Sequence, residues 1–323
     1  MKDEAITIVL PVYGRSQLLA PALRSVLAQT HPNWHLLIAD DGSDAITQGF
    51  IERWMAQHAD PRLRWVRRPH NLGLFANLNK AVEQADTEWM LLLCSDDLLL
   101  PSAIKQIQEL HERWPESGLI LSTFESINAD GSDRPADSAC HHDQVSLETA
   151  QVSPEVFVPA LLHLGSLNGN LTGMVFSRSL WRAAGGFREN WRHAADWEWL
   201  IRAGDQGPIV LNRKPLAQVR THESQLSNIN RRSGHELNEV AEVVSALLSH
   251  PQLANEPRRF SWAGHVMQFQ LWNLVKGIAS RPISESLQFL KVIQRSAGLR
   301  QTAASLVRWL PARWRRLQDP SAR

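Results

Sequence analysis

The chain is poor in cysteine and tyrosine, with two and one respectively among 323 residues. Cys94 and Cys140 are too few and too differently placed for a disulfide framework, and no Cys-x-x-Cys spacing offers a zinc site. No stretch approaches the roughly 20 uninterrupted apolar residues that a membrane-crossing helix needs. Met1-Lys2-Asp3-Glu4 runs straight into a strand, without the apolar region of a signal peptide. These absences point to a reducing cytoplasm. A formal charge of +1 points to no polyanionic partner and hence no nucleic acid, although it hides a basic final stretch. Thirteen tryptophans are the surplus that balances the missing tyrosine, and most are expected in the core. With 43% hydrophobic and 21% charged residues, the chain reads as globular rather than disordered. Its length exceeds the usual limit of a single core, so one domain of roughly 200 to 250 residues plus an appendage is expected.

Twice a hydrophobic run stops at a pair of aspartates. Trp34 to Ala39 ends in Asp40-Asp41-Gly42-Ser43, and Trp89 to Leu93 ends, after Cys94-Ser95, in Asp96-Asp97. Such runs mark strands buried on both faces of a parallel sheet, and the ligand crevice of such a sheet lies beyond the carboxyl ends of its strands. Carboxylates crowded there repel unless a cation or a donor-rich ligand lies between them. A metal and a nucleotide are the natural occupants, and an enzyme the natural owner.

Around these runs strand and helix alternate. Strands are expected at Ile6–Val12, Trp34–Ala39, Leu63–Val66, Trp89–Leu93 and Gly118–Ser122. Helices are expected at 16–29, 45–57, 74–85 and from Pro101 to 114. This pattern predicts an α/β doubly wound, mainly parallel sheet between helices. Asn128 to Gln144 is polar and aperiodic, a surface loop. Short strands follow at Met174–Phe176, Ile209–Leu211 and Leu216–Val219, with a helix at Asp196–Ala203. From about Leu237 the chain is all-helical, with Trp262, Val266, Phe269 and Trp272 on one face and Ile283, Leu287, Leu290 and Ile293 on another. The expected domains are 1–227 and 228–323.

The first strand stops at Pro11-Val12-Tyr13-Gly14. With Asp40-Asp41-Gly42-Ser43, Asn71-Leu72-Gly73 and Ser95-Asp96-Asp97, it resembles the inverting nucleotide-sugar glycosyltransferases of family 2, which have the GT-A fold. The resemblance covers about residues 5 to 227. It implies a nucleotide-sugar donor, UDP-linked by preference, touched by Pro11, Tyr13, Asp41, Asn71, Lys80, Ser95, Asp96 and Arg220. Asp41 would accept from the base N–H, while Pro11 and Tyr13 line base and ribose. It also implies Mn²⁺ or Mg²⁺ held by Asp96, Asp97 and His222 of Arg220-Thr221-His222, with Cys94 where the family usually has aspartate. Sulfur is a poor ligand for so hard a cation. The usual arginine before Asn79 is Leu78, leaving Arg15, Lys80 or Arg220 to meet the phosphates. Asp196 matches the family's general base, with Trp197 and Trp199 placed to shield it and Ala195 replacing the usual glutamate; Glu198 and the acidic residues around Asp137 are its substitutes. Taken singly, each motif has a plainer meaning: a turn and cap at Asp40-Asp41, loop punctuation at Asn71 and Gly73, a helix cap at Asp97 and again at Asp196.

The expected activity is therefore transfer of a sugar to a glycan or lipid-linked saccharide of a bacterial surface polysaccharide. The substitutions at Cys94, Leu78 and Ala195 keep open a nucleotide-sugar-binding protein without transfer. A sugar nucleotidyltransferase is the other alternative, although no glycine-rich phosphate loop follows the first strand. The segment Arg308-Trp309-Leu310-Pro311-Ala312-Arg313-Trp314-Arg315-Arg316 has the composition of a peripheral contact with the inner face of a membrane, or of a basic tail whose tryptophans pack.

Overall fold

A computed structural model describes residues 4–14, 16–134, 141–168, 170–222, 225–226, 235–277 and 281–318, apart from the side chains of 141, 235 and 312–318. Arg15, Asp137, Cys140, Ser224, Ser227 and the side chains of Arg313, Trp314, Arg315 and Arg316 lie outside those residues. The chain forms two compact units, Met1–Phe157 with Ser166–Ile229, and Val158–Gly165 with Asn230–Arg323. The stretch Val158–Gly165, inside the first domain by sequence, groups with the C-terminal helices.

In the first unit, β1 (Ile6–Val12), β2 (Trp34–Asp40), β3 (Leu63–Arg67) and β4 (Trp89–Leu92) alternate with α1 (Ser16–Leu27), α2 (Ala45–His58) and α3 (Leu74–Gln84). Then come β5 (Leu98–Leu99), α4 (Ala103–Arg113), β6 (Leu119–Ile127), β7 (Ala150–Val152) and α5 (Pro154–Leu164), which carries the chain from one unit into the other. β8 (Val175–Ser177), α6 (Arg178–Ala184), α7 (Ala195–Gly204) and β9 (Ile209–Arg220) complete the unit. The sheet runs β3-β2-β1-β4-β8-β6-β9-β5, with β7 on β9. β1, β2, β3 and β4 pair in parallel, as do β6 and β9, while β8 is antiparallel to both neighbours. This is the mixed, mainly parallel sheet between helices that the alternation predicts.

Apolar runs make the central strands because both their faces are covered. Ile6, Ile8, Leu10, Leu36, Ile38 and Leu91 pack with Leu19, Leu23 and Val26 of α1, and each full burial of such a side chain stabilises by about 1.5–3 kcal/mol. The parallel register places Val12 beside Asp40 and Val9 beside Leu92, so both aspartate pairs emerge at one edge of the sheet.

Several boundaries differ from the sequence reading. Pro101 does not open α4: the cap residue is Ser102, and the Pro101 carbonyl accepts from the N–H of Thr30. The two strands expected at 209–219 are one, because Asn212 bridges the irregularity between them, its amide bonding both the N–H and the carbonyl of Lys214.

The second unit is helical: α8 (His235–Leu248), α9 (Arg259–Gly277), α10 (Ile283–Ser296) and α11 (Leu299–Gln318). Among the described residues no helix is long and apolar enough to cross a membrane. Here the expected packing faces are corrected. α9 buries Ala263, Gly264, Met267, Leu271 and Leu274, while Phe269 is 53% exposed and Trp262, Val266 and Trp272 are only half-buried. Small residues choose the face: a Cβ on Gly264 would meet the carbonyl of Gln301 in α11 at 2.7 Å, so α9 and α11 approach too closely for an aromatic stripe between them. On α10, Ile293 is buried but Ile283 and Leu287 are exposed.

Candidate active site

Two loops interlock beyond β2. Asp40 is buried and its Oδ1 accepts the N–H of Ser43 at 2.8 Å, while Ser43 Oγ accepts the N–H of Gly14 at 3.0 Å, joining the ends of β1 and β2. The cap of α2 is Asp44, whose carboxylate accepts from Thr47, so neither Asp40 nor Asp41 is spent on capping. Asp41 instead reaches the next loop, accepting the N–H groups of Leu72 at 2.8 Å and Gly73 at 3.0 Å. Gly42 makes this possible. It has φ +73, and a Cβ there would lie 2.7 Å from the His70 carbonyl carbon. Burial pushes the Asp41 carboxyl above its ordinary value, against the pull of the two N–H groups and the nearby Arg68 guanidinium. The result is a recessed acceptor at the bottom of the edge formed by Pro11, half-buried, and Tyr13, 58% exposed. Asn71 is exposed, and its Oδ1 helps to hold Gly73 at 2.9 Å. Lys80 is exposed on α3, and Leu78 lies fully in the core.

A second corner forms beyond β4. Asp97 is 1% exposed, and its carboxylate accepts Thr172 Oγ1–H at 2.5 Å and the Arg220 N–H at 2.8 Å. Burial, then the neighbouring charge of Asp96, pushes Asp97 up to about 7. It caps no helix. Asp96 is more accessible, with His222 Nε2 at 2.9 Å from its Oδ2. The ligand atoms of Cys94, Asp96 and Asp97 lie within 4.8 Å of one another. The thiol is held well above its usual range by burial and by the two carboxylates. Crowded carboxylates beside an imidazole suit a divalent cation, whose charge would relieve the repulsion that raises Asp97. Ser95 is half-buried in the same turn. Arg220 is buried, and its guanidinium donates to the carbonyls of Asp96 (2.9 Å), Asn128 (3.2 Å) and Ala129 (3.0 Å). It ties the corner together.

Asp196 is half-buried in the first turn of α7, one residue inside the helix. The cap position is Ala194, so capping is not the task of Asp196. The segment before it is pinned by hydrogen bonds from α3 and α7. Asn79 accepts the N–H of Phe187 and donates to its carbonyl, both at 2.9 Å, while Arg202 donates to Gly186 at 2.8 Å. Trp199 donates to Gly185 at 2.8 Å and packs with Phe176, Trp181 and Phe187, which commits its ring to that aromatic cluster rather than to Asp196. Glu198 is no substitute base, being buried between Arg188 at 3.1 Å and Arg202 at 2.8 Å.

Thr172 and the Arg68–Asn77 pair escaped the sequence reading. Arg68 Nε donates to Asn77 Oδ1 at 3.1 Å, and Asn77 donates to the Ala39 carbonyl at 2.8 Å, bracing α3 against the end of β2. Asn77, a polar residue among the apolar Phe75, Leu78 and Ala81 of α3, was the available signal.

A half-parallel sheet with two acidic corners at one edge and a carboxylate-bearing helix nearby is the GT-A architecture. Residues 7–171 match the model of glycosyl transferase family 2, and the chain belongs to that family. TarS of S. aureus, solved in complex with UDP-GlcNAc, superposes with TM-score 0.65 at 15% identity, covering 93% of this chain and 83% of that one. The Pyrobaculum calidifontis mannosyltransferase PcManGT, in complex with GDP-Man and Mn²⁺, gives 0.59 at 16% identity, covering 94% and 87%. By sequence, the chain is 27% identical over 105 residues to the Escherichia coli UDP-Glc:α-D-GlcNAc-diphosphoundecaprenol β-1,3-glucosyltransferase WfgD, 32% of this chain and 40% of that enzyme. Other relatives are named for colanic acid and teichuronic acid biosynthesis. The matches span only 20%, 33% and 46% of the length of three curated relatives.

Proposed function

We propose that this protein is a metal-dependent, inverting glycosyltransferase that moves a sugar from a UDP-linked donor to a glycan or lipid-linked saccharide of a bacterial surface polysaccharide. The observation that carries the reading is the pair of acidic corners at neighbouring strand ends, one a recessed hydrogen-bond acceptor and the other a crowded carboxylate site. Asp41 takes the base N–H, with Pro11, Tyr13 and Asn71 around base and ribose. Asp96 leads the cation site, with His222 beside it and Asp97 behind it. Bound there, Mn²⁺ or Mg²⁺ would supply counter-charge to the departing diphosphate. Ser95 lies at the same turn, Lys80 remains available to phosphate only at the rim, and Arg220 positions Asp96 rather than reaching the donor.

Asp196 serves as base. As the acceptor oxygen attacks the anomeric carbon, its proton passes to the Asp196 carboxylate. The carbon–oxygen bond to the diphosphate breaks on the opposite face, the leaving group keeps the electron pair, and the configuration inverts. The reaction takes place in the cytoplasm, with the Arg308–Arg316 segment touching the membrane. A thermal-shift panel of UDP-, GDP- and dTDP-sugars with and without Mn²⁺ tests the donor: stabilisation is expected for UDP-sugars and to grow with the cation. Free nucleoside diphosphate as product marks the transferase, and pyrophosphate a nucleotidyltransferase. Cys94, Leu78 and Ala195 favour one other reading, a binding protein without transfer, which would show the shift and release neither product.

A further inference from the structure

Parts of the stripes that periodicity assigns to packing are exposed in the second unit: Phe269 on α9, and Ile283 and Leu287 on α10. Val275, Ile283 and Leu287 are 47%, 79% and 53% exposed. On α10, Ile283, Leu287, Lys291 and Arg295 follow one another at four-residue spacing, and all four are exposed, so one helical face is apolar at its start and cationic at its end. Cations also lie on aromatic faces: Lys276 over Trp272 at 5.8 Å and Arg281 over Phe289 at 4.7 Å, while Arg258 over Trp262 is already paired with Glu256 at 2.8 Å. The charge is one-sided. Residues 257–318 hold eleven Lys or Arg and a single acidic residue, Glu285, in a chain whose formal charge is only +1. The rest of the chain is therefore net acidic.

Exposed aliphatic and aromatic side chains with cations around them and almost no carboxylate form the pattern that anionic lipid selects. Apolar groups enter the headgroup boundary while Lys and Arg remain at its charged rim. A purely nucleic-acid surface would need the cations but not the exposed Ile and Leu.

We propose that α9, α10 and the start of α11 form a binding surface for an anionic bilayer, extending well beyond the Arg/Trp tail. That this surface brings the enzyme to a lipid-linked acceptor rests on the transferase reading; the lipid contact itself does not.

The test is co-sedimentation of the full chain with phosphatidylcholine vesicles, with and without phosphatidylglycerol, at low and high salt. Binding is expected only with the anionic lipid, weakening as salt screens it. Val275→Ser/Ile283→Ser/Leu287→Ser should lower the partition coefficient at least about tenfold, and Lys291→Gln/Arg295→Gln by about tenfold at low salt. Soluble UDP-sugar hydrolysis and the thermal midpoint should be unchanged in both, since these side chains are exposed and are none of the residues assigned to the site. No sedimentation of the wild type with anionic vesicles at low salt overturns the proposal. So does a triple variant that binds like wild type, which would leave charge alone as the cause. A wild type that self-associates in velocity sedimentation, ignores vesicles and becomes monomeric in the triple variant overturns it in favour of a second copy. Vesicle binding without sugar hydrolysis would count against the transferase reading and leave the lipid surface standing.

Discussion

Two aspartate pairs stand at neighbouring strand ends, and each divides labour between its members in its own way. In the Asp40-Asp41 pair the first residue turns back to its own loop while the second crosses to the N–H groups of Leu72 and Gly73. In the Asp96-Asp97 pair it is the second that is buried, held by Thr172 and Arg220, and the first that remains near solvent beside His222. A third contrast lies on α7, where Glu198 is locked between arginines and Asp196 is half-buried in the first turn. Acidic residues close in sequence thus take different partners, and those of Asp41 and Asp97 come from far along the chain.

The largest effect expected from breaking this division is at Asp196. Asp196→Asn should cost roughly 10² to 10⁴ in transfer rate with donor affinity nearly unchanged, because the amide keeps the size and loses the proton acceptor. Glu198→Gln should instead lower the thermal midpoint and affect rate less. Equal rate loss in both variants would erase the distinction.

Next is the cation corner. Asp97→Ala should destabilise by about 3 kcal/mol in denaturant unfolding, since the Thr172 O–H and Arg220 N–H lose their acceptor in a buried site. Asp96→Ala should change stability by less than about 1 kcal/mol and abolish the cation dependence of nucleotide binding. A stability loss in Asp96→Ala as large as that in Asp97→Ala would count against the assignment.

The same corner predicts a pH dependence. Asp97 is raised to about 7 in the fold from an ordinary 3.8, so the unfolded chain gives up its proton first. Its contribution is fully present below about 4 and is lost as pH rises toward 7 and beyond. Without divalent cation the thermal midpoint should therefore fall between about pH 4 and 7 and level off above. Asp97→Asn, or added Mn²⁺, should flatten that fall; an unchanged slope in the Asn variant would assign it elsewhere.

A smaller loss than that of Asp97→Ala is expected at Thr172→Val, about 2 kcal/mol, because Asp97 keeps the Arg220 N–H while the hydroxyl's bonds to Asp97 and to the Cys94 N–H are both lost. Co-purified cation should mask part of it, so chelated protein is the sample to measure.

Much of this was legible in sequence wherever the signal is local. The runs ending at Asp40 and Asp96 are apolar because their strands are covered on both faces, and their register at one edge follows from parallel pairing. The partners were not legible, because they come from the other half of the chain: nothing near Asp97 announces Thr172 or Arg220. Helix faces failed for a related reason. Periodicity and hydrophobic bulk point to the aromatic stripe on α9, which is not the buried one. The close approach of α11 at Gly264 selects the small-residue stripe, a fact that resides in the partner helix. The two-residue β5 and three-residue β7 carry too little pattern to be seen at all.

The sheet order has a consequence in time. β6 lies between β8 and β9, both made later, and Ser122 and Asn212, hydrogen-bonded across β6 and β9, are 90 residues apart. On a ribosome, β1 to β4 can pair as they emerge, whereas β6 keeps an unpaired apolar edge until β8 and β9 arrive. The Asp41 corner needs only partners up to Gly73. The Asp97 corner needs Arg220, 123 residues downstream. A nascent chain would therefore acquire its Asp41 corner long before its Asp97 corner, and a chain stopped short of β9 would keep the first and never build the second.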